Sequence, residues 1–560
     1  MTQLTGTGVV AGVAYAPARW AAARPEIKAS AFAPVPEANR AAELERFEAA
    51  VAAVEQGYLE RAQRVAEPDT KKVLEATAGL VKDRGLMRMA RKEIAAGTAA
   101  EGAMIDSIDS FIQTMQKLGG LMAERATDLR DIRDRVVGVL MDLPEFGIPE
   151  SDTPIVLLTT DLSPADAAML DPATVQALVL SEGGPTSHTS IVARQRGIPC
   201  VVAVPGLATI SEDEVVLVDG GRGTVSTEAD PSSVERLIAE DRTRRDAVRT
   251  WQGPGRTADG YQVALLANVQ SVATAQEAAQ TQAEGVGLFR TELAFSETAT
   301  EPSVTDQAKL YAGVFAAFPE GKVVVRTLDA GSDKPVPFVL HEKEDNPSLG
   351  VRGIRLQSLK PEGMLDRQLD AIAQGRKDSG AEGRAWVMAP MIATVDEARE
   401  FAAKVRSRGM IPGIMVEVPA VCVLADEFIA EVEFMSVGTN DLTQYTMAAD
   451  RLSPSLVSLN DPWQPAVLRM LSLAATACTK TRKTIGVCGE AASDPLLGCV
   501  LVGLGISYLS MADKAIPGVG SMLGSVTLAQ CQAAAQAALA ATDPQGARHA
   551  AESILRGDRD

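Results

Sequence analysis

The chain has 560 residues, 46% of them hydrophobic and 23% charged, an ordinary soluble globular composition with length for about three or four domains. Its formal net charge of −19 argues against general nucleic-acid binding, so an anionic substrate requires a local arginine cluster. Residues 1–8 carry neither a basic region nor a long apolar core, which predicts no secretory signal, no membrane insertion and a cytoplasmic location. The cysteines at 200, 422, 478, 488, 499 and 531 include no Cys-x-x-Cys pair and no regular spacing, so they are expected as free thiols.

In chain order, Leu4 to Pro17 is glycine-rich and apolar without a helical period, and reads as a short strand and turn that begin a domain. From Glu37 the pattern changes. Leu44, Phe47, Val51, Val54 and Tyr58 fall three and four apart on one helix face. Helices over 70–96, 101–118 and 121–141 complete an all-helical block whose spacing alone implies only a scaffold. At Pro154 strand-like runs return, over 155–158, 175–180, 200–204 and 215–218.

Between the second and third of these runs lies Gly183-Gly184-Pro185-Thr186-Ser187-His188-Thr189-Ser190, followed by a helical stretch. The glycines permit a sharp turn and the hydroxyl residues suit a helix start, which places His188 at a helix amino terminus. Unpaired N–H groups and the helix dipole there would favour a phosphoryl group on the imidazole, and the neutral, nucleophilic ring before transfer. A histidine that merely packs or caps is the plain alternative. A charged helix then follows Asp230-Pro231 to about Trp251, with a linker near Gly253-Pro254-Gly255.

Beyond Gly255, apolar runs alternate with helix-length segments: 263–268, 285–292, 323–329, 386–392, 411–418, 434–441, 484–490 and 506–511. That is the count of a parallel (β/α)8 barrel. Arg290 and Glu292, Arg326 and Asp329, Glu417, Asn440 and Asp441, and Cys488 and Glu490 all fall at the carboxyl ends of their runs, where such barrels keep their active sites. Arg290, Arg326 and Arg352, with Arg451 and Lys334, suit a small polyanion, although each alone could be a surface ion pair. Glu417 and Asp441, on adjacent strands, make a sparse metal site suited to Mg²⁺, or each could pair with an arginine. Cys488 could donate a proton over the barrel mouth; the alternative is a buried, inert thiol.

Several motifs carry a family resemblance: the His188 stretch through Arg194, Gly285-Val-Gly-Leu-Phe-Arg290-Thr-Glu292, Arg326-Thr-Leu-Asp329 with Lys334, and Asn346-Pro-Ser-Leu-Gly-Val-Arg352. Further on come Met415-Val-Glu417-Val-Pro, Ser436 through Asn440-Asp441 to Tyr445 and on to Arg451, and Cys488-Gly-Glu490. Across nearly its whole length the chain resembles enzyme I of the phosphoenolpyruvate:sugar phosphotransferase system. The resemblance implies an α/β phosphohistidine domain (1–35 and 146–227) with an inserted helical domain (36–145) that docks the phosphocarrier HPr. A linker helix (228–255) and a phosphoenolpyruvate-binding TIM barrel that dimerises (256–560) follow. It implies that His188 is the phosphorylated nucleophile in the first step of sugar uptake. Arg290, Arg326 and Arg352 would hold the phosphate, Arg451 and Asn440 the carboxylate end, and Glu417 with Asp441 Mg²⁺ or Mn²⁺. Cys488 would protonate the enolate carbon as pyruvate forms. This agrees with the chemistry of a loose phosphoryl-transfer transition state, whose spread charge arginines and metal offset.

Pro185 departs from the arginine that many members carry there, so any phosphate contact of that arginine is missing or supplied elsewhere. Pyruvate phosphate dikinases and phosphoenolpyruvate synthases resemble the chain too, but they add a large nucleotide-binding domain for which it has no room. A regulatory phosphotransferase commonly adds a sensory domain, which is not seen before Gly8. A binding protein on an inactive barrel is disfavoured by His188, Arg290, Glu417, Asp441 and Cys488 occurring together. Because His188 precedes the barrel in a different domain, the linker helix is expected to swivel between collecting and delivering the phosphoryl group.

Overall fold

The computed structural model describes residues 3–22, 27–64, 68–118, 126–143, 147–149, 151–184, 187–296, 298–331, 335–339, 344–359, 362–451 and 453–557. The chain forms two compact units, Met1–Thr243 and Arg244–Asp560. The α/β multidomain architecture expected from the sequence, with a closed barrel in the carboxyl-terminal part, is what the structure shows. No described helix is long and apolar enough to cross a membrane.

The first unit is built on an eight-stranded sheet: β1 (Gln3–Thr5), β2 (Thr7–Val10), β3 (Val13–Trp20), β4 (Ile155–Thr159), β5 (Val175–Leu180), β6 (Cys200–Val202), β7 (Val215–Asp219) and β8 (Thr224–Ser226). Their order is β1-β8-β7-β3-β4-β5-β6-β2. β3, β4, β5 and β6 run parallel, and β4 and β5 are apolar almost throughout, as strands covered on both faces must be. The helical block lies between β3 and β4 in sequence. It comprises Arg40–Arg64, Pro68–Val81, Arg84–Ala96, Ala100–Leu118 and Ala126–Leu140. Its core contains Phe47, Val51, Val54 and Tyr58, the face that periodicity predicts.

The expected helix over 70–96 is two helices. Asp83 stands at the break and accepts hydrogen bonds from Gly85 N and Leu86 N, which caps the second helix at a gain of about 1 kcal/mol. A buried ionic chain then joins block to sheet layer. Tyr58 donates to Asp131, Arg135 bridges Asp131 at 3.0 Å and Asp166 at 2.6 Å, and Ser163, which precedes a short helix after β4, donates to Asp166.

The second unit is a closed barrel of eight parallel strands: β9 (Ala264–Val269), β10 (Gly285–Phe289), β11 (Lys322–Arg326), β12 (Ala385–Ala389), β13 (Ile411–Val416), β14 (Phe434–Val437), β15 (Thr484–Val487) and β16 (Tyr508–Met511). All eight predicted runs are strands. Several runs extend past the strand end, because the polar residues that follow belong to the loops and first helical turns at the carboxyl pole. Inside the barrel, glycines make room for rings. A Cβ on Gly413 would lie 2.2 Å from the Phe434 ring, and one on Gly486 would lie 2.0 Å from that of Tyr508.

Gly486→Ala should therefore overpack the barrel interior and cost about 1–3 kcal/mol. The expected result in urea is a lower midpoint for the barrel's own unfolding transition; an unchanged midpoint would show that the Tyr508 ring moves aside freely.

Candidate active site

In the first unit, β5 leads through Gly183, with φ of +88°, to the helix His188–Arg196. The sequence expectation for the backbone holds: His188 is the first helical residue, and Ser187 caps the helix by accepting a hydrogen bond from Ser190 N at 3.3 Å. The turn is pinned from below. Buried Thr189 donates to Asp161 Oδ1 at 3.1 Å, in the loop after β4, and buried Ser190 donates to Gly184 O at 2.7 Å. The helix start is thus fixed at the carboxyl ends of two parallel strands, where free N–H groups favour an anion. Pro185 lies outside the described residues.

In the second unit, the carboxyl pole gathers most of the predicted residues. Arg326 ends β11 and is buried; its Nη2 donates to Glu292 Oε1 at 2.9 Å and its Nη1 lies 3.2 Å from Asp329 Oδ2. Arg352, with no solvent exposure, lies 3.2 Å from the same Asp329 oxygen and reaches Asp441 Oδ1 and the Tyr445 hydroxyl, each at 3.3 Å. Asp441 Oδ2 faces Arg451 Nη1 at 3.9 Å. Asn440 accepts from Glu490 N at 3.4 Å, so the ends of β14 and β15 are tied together. Arg290 is exposed at the pole, its backbone N–H donating to Val269 O at 2.9 Å. Lys334 lies outside the described residues.

Glu417 follows β13 and is wholly buried. Its Oε1 accepts a hydrogen bond from Met391 N at 2.5 Å, while Oε2 has no hydrogen-bond partner. Met391 holds φ of +60°, an uncommon conformation for a side chain of its size, and that conformation accompanies an N–H directed at the carboxylate. Gly438 keeps the other oxygen clear, since a Cβ there would stand 3.0 Å from Oε2.

The charge balance around Glu417 is negative. Arg326, Arg352 and Arg451 supply three positive charges and Glu292, Asp329 and Asp441 three negative ones, so an ionised Glu417 leaves the cluster with a negative surplus. Burial, and then the charges of Asp329 and Asp441, push the Glu417 pKa up to about 8. An orphaned oxygen and surplus negative charge fit a divalent cation held by Glu417 and Asp441, with its remaining oxygens coming from water or a bound anion. No described group of three or more His, Cys, Asp or Glu side chains forms a cage, so protein ligands alone would not complete a coordination shell.

Cys488 follows β15, is buried, and donates from Sγ to Val437 O at 3.3 Å. Burial raises its pKa against the opposing pull of Ser436, Arg326 and Arg290, which keeps the thiol protonated. It faces the barrel interior with Met388 and Met415, yet the charges of two pole arginines reach it. That combination suits a proton donor better than a thiolate nucleophile. The other cysteines are also buried free thiols, as expected.

Sequence reasoning gave no site role to Asp329, Glu292, Tyr445 or Met391. Asp329 and Glu292 were visible as polar residues at run ends, but that one carboxylate joins two arginines depends on cross-strand register. Met391 acts through its backbone, which no residue type signals.

Comparison with known proteins matches three family models: the PEP-utilising enzyme N-terminal region over residues 5–125, the mobile domain over 151–223 and the PEP-binding domain over 245–527. The chain is 43% identical over 560 residues to a phosphoenolpyruvate-protein phosphotransferase of Streptomyces coelicolor, covering 100% of both chains. It is 37% identical over 535 residues to the protein of that name from Haloferax volcanii, covering 92% of this chain and 90% of the relative. The protein of that name from Bacillus subtilis is 32% identical over 544 residues, covering 92% and 93%.

The Glu417 environment predicts a pH signature in metal-free protein. Its folded pKa lies above the ordinary 4.5, so its contribution to stability is fully present below about pH 4.5 and is lost as pH rises through about 8. The stability difference between Glu417→Gln and the parent should therefore swing in the variant's favour across this window and level off above it. A difference independent of pH would show that Glu417 titrates normally.

Proposed function

The chain belongs to the phosphoenolpyruvate-protein phosphotransferase family, and on that premise we propose that it moves the phosphoryl group of phosphoenolpyruvate to His188 and then to the phosphocarrier HPr. Pyruvate is released, and the transfer opens sugar uptake by the phosphotransferase system. The observation that carries the barrel assignment is the open Glu417 oxygen beside a buried cluster of arginines and carboxylates.

In this reading Arg290 and Arg326 neutralise the phosphoryl oxygens as charge spreads in the loose transition state. Arg352 is already ion-paired with Asp329 and Asp441, so it joins the phosphate by exchanging a carboxylate contact for a phosphate oxygen. Arg451 and Asn440 receive the carboxylate end. Glu417 and Asp441 hold Mg²⁺, or Mn²⁺ in its place, which when bound supplies a Lewis acid for substrate oxygens. As the C–O electrons of the departing enolate collapse, the Cys488 thiol gives its proton to the methylene carbon, yielding pyruvate. Lys334 belongs to the same motif and adds a further cation.

His188 delivers the phosphoryl group through the helix start that favours its charge, and residues 36–145 dock the carrier. The boundaries 1–35 with 146–227, 228–255 and 256–560 delimit the phosphohistidine domain, the linker helix and the barrel. The barrel pairs two copies into a dimer, and the site of action is cytoplasmic.

Purified protein incubated with phosphoenolpyruvate and Mg²⁺, without ATP, should gain one acid-labile phosphoryl group by intact mass, absent in His188→Ala, and should pass it to added HPr. Labelling that persists in His188→Ala would remove His188 as acceptor. Cys488→Ala should slow pyruvate formation by about 100-fold or more and leave phosphate exchange between His188 and the carrier unchanged. Equal loss in both assays would assign the thiol to packing.

A further inference from the structure

Cys488, the proton donor of the proposed reaction, is held from two sides of the barrel. Its backbone N–H donates to Val437 O at 3.0 Å, and its thiol donates to the same oxygen at 3.3 Å. Its carbonyl oxygen accepts from Asn268 Nδ2 at 3.1 Å. Val437 ends β14, the neighbour of β15, whereas Asn268 belongs to β9, which lies on the far side of β16. Asn268 therefore reaches across a strand to meet the Cys488 carbonyl, and the chemistry described so far gives it no part.

The Asn268 amide has a single orientation here. Cys488 O can only accept, so the NH₂ end must face it, and the carbonyl end then receives the Ser510 hydroxyl, which donates to Oδ1 at 2.6 Å. Ser510 lies on β16, between the two strands that the amide joins, and is fully buried. Gly287 makes the room. There the pairing of β10 with β9 shifts register, from Val286 opposite Ala267 to Leu288 opposite Asn268, and a Cβ on Gly287 would overlap the Ser510 hydroxyl. A polar side chain on an apolar strand, a buried serine and a glycine bulge thus converge on one carbonyl. The Val437 contacts do not replace this one. Both go to a single oxygen, so they act as one pivot, and Gly489, the next residue, has no side chain to anchor the peptide.

We propose that Asn268, oriented by Ser510, is a positioning residue for the Cys488 proton transfer: it fixes the plane of the Cys488–Gly489 peptide and with it the direction of the thiol. The inference rests on the donor role given to Cys488 in the proposed function. In that step the S–H bond breaks with its electron pair left on sulfur, and the enolate's carbon–carbon π pair takes the proton to form the methyl C–H bond of pyruvate. Asn268 exchanges no proton. A donor must lie within hydrogen-bond reach of the atom it protonates, and a misplacement of about 1 Å can cost about 100-fold in rate, so a tether on the donor's own peptide acts directly on the step.

The test is a double-mutant cycle on the full-length chain, reading single-turnover pyruvate formation and its half-saturating phosphoenolpyruvate concentration in the presence of Mg²⁺. Asn268→Ala should slow pyruvate formation by about 10-fold or more and leave the half-saturating concentration within about 2-fold of the parent's. In the Cys488→Ala background, where no thiol remains to be aimed, the same substitution should cost less than about 2-fold. Ser510→Ala is a small change that frees the amide to turn; it should slow the parent by about 3-fold and the Cys488→Ala chain not at all, and it carries the comparison if Asn268→Ala does not fold. Equal slowing in both backgrounds, or a rise in half-saturating concentration as large as the loss of rate, would overturn the proposal and leave Cys488 as donor. A Cys488→Ala chain that forms pyruvate at the parental rate would overturn the donor role and this inference with it.

Discussion

One carboxylate oxygen of Asp329 lies 3.2 Å from both Arg326 and Arg352, with no solvent at the contact. Two guanidinium groups that close repel each other in a poorly polarisable interior, and the shared anion offsets that repulsion. From this contact the pole spreads in both directions. Glu292 fixes the other edge of Arg326 and also accepts from Asp329 N, and Asp441 receives the far end of Arg352. Removing Asp329 would leave Arg326 with Glu292 and Arg352 with Asp441, but the two guanidinium groups would lose the anion they share, a loss on the order of 3 kcal/mol.

The same arrangement leaves a remainder that points to ligands. The protein matches its three paired arginines with three carboxylates, and then places Glu417 against the cluster with one oxygen that has no hydrogen-bond partner. A fold selected for stability alone would replace such a carboxylate with an apolar side chain. In the proposed function, a divalent cation and an anionic substrate arriving together would offset that cost. The same low polarisability acts on Cys488, because burial that makes charge expensive keeps its proton in place, as the proposed role of proton donor requires. In the first unit the problem is solved with backbone. In the proposed reaction, the His188 helix start would offer its dipole and N–H groups to a transient phosphoryl group.

Much of this was legible in the residues. The barrel strands are short apolar runs, and in Val323-Val324-Val325 and Ile414-Met415-Val416 the run is followed at once by Arg326 or Glu417, a grammar that marks both strand and pole. The His188 turn was legible because glycine and hydroxyl residues have few other reasons to adjoin. What escaped was relational. Asp329 appears in the sequence as one more acid at a strand end, and only register across β11 and the loop bearing Arg352 makes it a bridge. Met391 contributes an N–H, and Gly438 an absence of side chain, so neither carries chemical identity of its own. The break at Asp83 was missed because the apolar period runs through it while the cap acts locally.

The most direct test of the barrel assignment is calorimetric titration of phosphoenolpyruvate into the full-length protein, with and without Mg²⁺, for the parent chain and Glu417→Gln. If the open carboxylate and the arginine cluster form one site, Mg²⁺ will tighten binding in the parent by at least about 10-fold, or about 1.4 kcal/mol, and the variant will lose that gain. Equal affinity with and without the metal in both proteins would contradict the account.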